Sequence, residues 1–114
     1  MSVTTLPIIE NTYQVYKHIV ALNTKVPKIH RYTLCAETEK SILALLELPY
    51  MAGAAPKAQK SAYLLRAQAR LEIIRLHLRL YLEFGLGSET WLFQLQSALE
   101  ETGRMLGGWL KSSY

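Results

Sequence analysis

A single cysteine, Cys35, stands in 114 residues. No intrachain disulfide can form from it, and a reducing, cytoplasmic setting is the default reading. No apolar run reaches the length of a membrane span. The N-terminus lacks a basic stretch followed by the apolar core of a leader, so no membrane partner is expected. The three histidines, His18, His30 and His77, have no His, Cys or carboxylate neighbour at a recognised metal-ligand spacing. Neither a metal nor a cofactor is therefore expected. The six glycines follow no phosphate-binding pattern. Glu100 and Glu101 are adjacent, so on a helix they point in different directions and make no acid–base pair. Cys35 sits alone in an apolar pattern with no base placed near it, which reads as a small buried hydrophobe. A non-enzymatic protein follows. Strand signals, internal repeats and low-complexity segments are also missing.

What remains is a helical pattern carrying positive charge. Half of the residues are apolar and the mean hydropathy is +0.06, which suits a folded domain. The length suits one core, so residues 1–114 are read as a single domain. Lysine and arginine number 13 against 9 acidic residues, a net charge of +4 with a pI near 9.3. That excess favours an acidic partner without naming one.

Four helices are predicted, over roughly residues 7–25, 31–52, 57–84 and 88–111. Met1 to Thr5 reads as a short arm. Pro7 suits a first helical turn. Ile9, Tyr13, Tyr16, Val20 and Asn23 then mark one face of the first helix. Pro27 disfavours helical geometry at Val26 and ends that helix. The connection Lys25 to Tyr32 concentrates Lys25, Lys28, His30 and Arg31. The second helix offers Leu34, Ile42, Leu45 and Leu46 as its inward face, with Cys35 and Thr38 nearby, and Pro49 should end or kink it. Gly53 and Pro56 mark a short loop, Gly85 stops the third helix, and Ser88 caps the fourth. In the fourth, Leu92, Leu95, Leu99, Thr102, Leu106 and Trp109 recur at spacings 3-4-3-4-3, a coiled-coil-like seam broadened by Trp91, Ala98 and Met105. Gly103, Gly107 and Gly108 suggest close approach of a neighbouring backbone. Short connections between long helices imply antiparallel neighbours. The expected architecture is an all-α, up-down-up-down antiparallel four-helix bundle.

The third helix organises the chain. From Ser61 to Phe84 it contains neither glycine nor proline. On a wheel of about 100° per residue, Leu64, Ala67, Leu71, Ile74, Leu78 and Leu82 form one apolar stripe. Ala69, Ile73, Leu76 and Leu80 form a second, on the other side. An ordinary surface helix has one apolar stripe and one wet face. Two stripes predict packing against the chain's own core and against another copy. Basic residues fill the gaps: Arg66, Arg70 and His77 in one, Lys57, Arg75 and Arg79 in the other. Arg75 and Arg79 stand one turn apart, which reads either as a solvated face paired with Glu72 or Glu83, or as a ladder for phosphates. The tyrosines fall mostly within helical patterns and read as core or interface packing rather than base-stacking groups.

Three segments, P-K-I-H-R-Y at Pro27 to Tyr32, R-L-H-L-R-L at Arg75 to Leu80 and G-R-M-L-G-G-W-L at Gly103 to Leu110, together resemble a known family. It is that of bacterial four-helix-bundle proteins including the accessory variability determinant of diversity-generating retroelements. The superfamily also includes proteins encoded by intervening sequences in 23S ribosomal RNA genes. The resemblance covers nearly the whole chain, and the order and spacing of the motifs carry it. It implies a homopentameric barrel of four-helix bundles that associates with the retroelement's reverse transcriptase and with RNA or DNA. Such a protein does no chemistry and supports mutagenic cDNA synthesis and retrohoming. Through the matching motifs the basic role is carried to Arg75 and Arg79, and more weakly to Lys28 and Arg31; Lys57 joins them from its place on the same line of the helix. The C-terminal K-S-S-Y lacks the further basic tail of some members. The alternatives are the ribosomal intervening-sequence branch and a purely structural oligomer.

Overall fold

The computed structural model describes residues 5–113. Of the short arm expected at Met1 to Thr5, only Thr5 is described, and it is already helical; the rest of the arm and Tyr114 lie outside the described residues. Four helices follow one another. Helix α1 is Thr5–Asn23. Helix α2 covers residues 28–54, as a turn Lys28–His30, a π-helical segment Arg31–Cys35 and a long run Ala36–Ala54. Helix α3 is Lys57–Glu83 and helix α4 is Glu89–Ser112. No strand occurs among the described residues. Each helix packs against the next and α4 closes onto α1, a four-helix bundle of extents 44 × 24 × 19 Å. The long extent matches the 27 residues of α3 at about 1.5 Å per residue.

Neighbours run antiparallel. Asn11 on α1 donates through Nδ2 to the Ala98 carbonyl at 2.6 Å and to Thr102 Oγ1 at 2.7 Å on α4. Seven residues later in α1, His18 meets Trp91, seven residues earlier than Ala98. Thr38 on α2 meets His77 on α3, and the side chain of Gln96 on α4 donates to the Arg75 carbonyl.

The core is built from stripes with the 3-4 repeat of left-handed helix packing. In α3 these are Leu64, Ala67, Leu71, Ile74 and Leu78, as the sequence predicts, with Tyr81 rather than Leu82 closing the stripe. Helix α4 buries Leu92, Leu95, Leu99, Thr102 and Leu106; Leu110 is buried where Trp109 was expected, and Trp109 is only half-buried. Ser88 caps α4 by accepting from the Trp91 N–H. Among the three glycines of α4, Gly103 alone makes a close approach: a Cβ there would lie 3.0 Å from Leu71 Cδ2.

Two expected faces are corrected. In α1 the buried line is Ile8, Thr12, Val15, Ile19 and Leu22, one position before the line predicted through Ile9, Tyr13, Tyr16 and Val20. Both lines carry the same spacing, so periodicity could not separate them. Packing could. The observed line places β-branched residues inside, and Thr12 returns its hydroxyl to the Ile8 carbonyl at 2.8 Å, so it can be buried without an orphaned polar group. In α2 the buried line is Cys35, Thr38, Ile42, Leu45, Pro49 and Ala52, whereas Leu34 and Leu46 are only half-buried. The π-helical segment is wider than an α turn and resets the register just before Cys35. Pro49 does not end the helix, which continues to Ala54. Its ring is buried in the core, and Lys60 Nζ closes the helix end by donating to the Ala52 and Gly53 carbonyls at 2.8 and 3.2 Å.

At the end where α1 meets the α3–α4 turn, the core turns polar. Tyr81 donates its hydroxyl to Asn23 Oδ1 at 2.6 Å, and Asn23 Nδ2 donates to Glu39 at 2.8 Å. Gly85 and Gly87 turn the chain with φ of 68° and 87°. Leu22 fills the space beside Gly87 so closely that a Cβ there would lie 2.7 Å from Leu22 Cδ1.

Candidate functional site

The second stripe of α3 lies outside the bundle. Ile73 is 40% exposed and Leu76 is 56% exposed. Ala69 is exposed and Leu80 half-buried. Leu65, also on the outside and 51% exposed, extends the same ridge. Its wheel position within the stripe was the signal that would have found it from sequence.

The ridge separates two shallow grooves. Ala69 and Ile73, with Arg66 and Arg70, line the one towards α2, a hollow of 460 Å³ whose other wall is Ala44, Glu47, Leu48 and Met51. Leu76 lines the one towards α4, a more open hollow of 620 Å³ that also holds Arg75, Arg79, Leu82 and Phe93. The exposed Phe93 and Met51 were not singled out from sequence, since they fall off the core seams of their helices. Apolar surface of this kind, gathered along one helix and fringed with charge, marks an interaction site.

The five selected cations do not form one cluster. Arg75 and Arg79 share the α4 side of α3, and each lies beside an acid of its own helix: Arg75 Nη1 at 3.6 Å from Glu72, Arg79 Nε at 3.3 Å from Glu83. Both readings of this pair were open in the sequence; the geometry adds the ion pairs, leaves Arg79 solvated and half-buries Arg75. Such pairs contribute well under about 1 kcal/mol and yield readily to a competing phosphate. Lys57 is 18 residues from Arg75, about 27 Å along the helix, so it belongs to the opposite end of the bundle. Lys28 and Arg31 sit at the start of α2. Arg31 spends Nε and Nη2 on the Val26 and Thr24 carbonyls, at 3.1 to 3.3 Å, and so ties down the chain after α1. No carboxylate lies within ion-pair distance of Lys28, Arg31 or Lys57 among the described residues.

The buried polar groups hold structure together. Burial pushes the Cys35 thiol above its usual range, keeping it protonated. Tyr81 is raised in the same way and for the same reason. Burial lowers His77, with Arg70 adding to the shift and Glu37 opposing it. Thr38 Oγ1 commits its hydrogen to the Leu34 carbonyl at 2.8 Å, so His77 Nδ1, 3.1 Å away, is the donor between them. These groups bond to one another's helices and tie α1, α2 and α3 together. Among the described residues no group of three or more His, Cys, Asp or Glu side chains could hold a metal ion, and no helix is long and apolar enough to cross a membrane.

A four-helix bundle with an uncovered apolar ridge and surface arginines agrees with the resemblance carried by the three motifs. A family model described as bAvd-like matches residues 6–113. The chain belongs to the bAvd-like family. A comparison with curated proteins finds no match. Membership covers all four helices, including each of the selected cations and the whole ridge. This family points to an accessory protein of diversity-generating retroelements, a non-catalytic class.

Proposed function

We propose that this bAvd-like chain is a basic homo-oligomer, a pentamer by its family resemblance, that holds a retroelement reverse transcriptase and its template RNA or cDNA together during mutagenic synthesis and retrohoming. The observation that carries this reading is the outer ridge of α3: Leu65, Ala69, Ile73, Leu76 and Leu80 lie uncovered on a helix that already buries a full stripe inside. A second copy covers the ridge. Arg75 and Arg79 supply charge for phosphates, and a ring repeats that charge around its axis. The partners are the enzyme, the nucleic acid and the chain itself. Gene neighbourhood separates this reading from the ribosomal intervening-sequence branch: a reverse transcriptase gene and a repeat pair nearby support the first.

The experiment is a salt series with the Arg75→Ala/Arg79→Ala protein. For single strands, log affinity falls with log salt by about 0.7 per phosphate neutralised. The double variant should bind more weakly at low salt and show a flatter slope, largely independent of sequence. Helical signal and oligomer mass should hold, because surface arginines contribute little to stability. An unchanged salt series with unchanged mass would remove both arginines from the contact. Loss of the oligomer would make them interface ion-pair partners instead.

A further inference from the structure

The connection between α1 and α2 and the turn between α3 and α4 meet at one end of the bundle. That end exposes flat rings beside cations. Tyr32 is 74% exposed and Phe84 is 53% exposed. The His30 ring stacks on Phe84, centroids 5.3 Å apart and planes within 18°. Lys25, Lys28 and Arg31 lie on the same connection as His30 and Tyr32, exposed and without a carboxylate within ion-pair distance among the described residues. Beside them opens a hollow of 310 Å³ walled by Leu22, Pro27, Leu86 and Trp91, with Lys25 at its rim. Arg79 is five residues from Phe84, about 7.5 Å along α3, so the arginine line leads onto this end.

An aromatic ring left 74% exposed does little for the fold. Protein partners favour contiguous apolar surface with few charges at the centre. Along Lys28 to Tyr32 the rings of His30 and Tyr32 are interleaved with Lys28 and Arg31 around one exposed aliphatic side chain, Ile29, a composition that suits a strand with one phosphate per base. We infer that this end of the bundle is a platform for single-stranded nucleic acid: unpaired bases stack on Tyr32 and on the His30–Phe84 pair while Lys25 and Lys28 take the flanking phosphates. The inference rests on the nucleic-acid role proposed above and places it on particular side chains. It also divides the labour of Arg31, whose guanidinium holds the loop that presents the platform. A duplex hides its base faces and can use only the lysines.

The test uses the whole oligomer and fluorescein-labelled twenty-nucleotide strands of RNA and of DNA, with the matching duplexes as controls. The Tyr32→Ala/Phe84→Ala protein should keep its oligomer mass and helical signal, since both side chains are exposed. Its affinity for the single strands should fall at least about fivefold per ring, with the salt slope unchanged. Duplex affinity should stay as it was. Tyr32→Phe alone should leave strand binding intact, because stacking needs the ring and not the hydroxyl. The Lys25→Gln/Lys28→Gln protein should behave oppositely, its slope flattening by about 1.4 at about 0.7 per phosphate. If the unaltered protein binds strands and the aromatic variant binds them equally well, this platform is refuted while the nucleic-acid role stands. If the unaltered protein binds no strand, the role itself fails. If the aromatic variant keeps its strands but no longer captures the reverse transcriptase, the surface is a protein contact and the inference is wrong.

Discussion

Leu76→Glu separates assembly from folding. Leu76 is 56% exposed in the single chain, so the bundle gains only part of its burial energy. A fully buried leucine contributes about 1.5–3 kcal/mol, which leaves about 1 kcal/mol for a covering copy to collect at this residue. Ile73, at 40% exposed, and Leu65, at 51% exposed, offer similar shares. Together with Ala69 and Leu80 the ridge supplies a few kcal/mol per contact. A carboxylate at position 76 forfeits its share and adds a desolvation cost of several kcal/mol when covered. Arg79, one turn on and held only weakly by Glu83, can offset part of that cost but does not restore the lost apolar contact. The net change is large enough to dissolve the contact, and in the proposed ring it would recur at every interface. In the isolated bundle the same substitution stays in water and should cost only the part of the burial that the single chain already makes, about 1 kcal/mol. Sedimentation at micromolar concentration should show several times the monomer mass for the unaltered protein and monomer for the variant. Circular dichroism should show the same helicity for both. Normal assembly of the variant would mean that the ridge faces solvent in the oligomer. A monomeric parent protein would remove the oligomer altogether, and an unfolded variant would contradict the exposure of Leu76. Ile73→Glu should repeat the result.

Tyr81→Phe should cost about 1–3 kcal/mol, read from urea unfolding, because it leaves the buried Asn23 Oδ1 without its donor; no loss would mean the bond is dispensable. Gly87→Ala should destabilise by about 1–3 kcal/mol, since φ is 87° and the added carbon meets Leu22 at 2.7 Å; unchanged unfolding would show that Leu22 gives way freely. For His77, the folded pKa lies below the unfolded value of 6.5, so the unfolded chain binds the proton more readily. Stability from this residue is therefore present above about pH 6.5 and declines as pH falls below it. His77→Gln should remove that part of the decline in unfolding experiments at pH 8 and pH 5.5; equal pH dependence of the two proteins would refute it.

The four helices, the turn at Gly85 to Ser88 and most of the inner stripe of α3 were legible in the chain because each is a local property; the loop expected around Gly53 starts only after Ala54. Helix-forming residues, the cap at Ser88 and the stop at Gly85 act within a turn or two of themselves. The double stripe of α3 is likewise periodic, and its outer half can be read on a wheel before any partner is known. Family membership was legible for another reason: three motifs keep their order along the chain, and the family model spans residues 6–113.

The tertiary structure alone decided what local pattern leaves degenerate. The two candidate faces of α1 have equal spacing, and only the fit of Ile8, Thr12, Val15 and Ile19 against the neighbouring helices α2 and α4 chose between them. A widened turn at Arg31–Cys35 set the face of α2, and no residue in that segment announces it. Pro49 sits inside a helix because core packing offsets a lost hydrogen bond, an energy invisible to local propensity. The neighbours of the cations were also a tertiary matter. Lys57 shares a line with Arg75 on the wheel but lies at the far end of the rod, whereas His30 and Phe84, distant in sequence, meet at one end because antiparallel helices bring their turns together. Angular position about a helix is written in sequence; position in space depends on which helices pack together and where their ends fall.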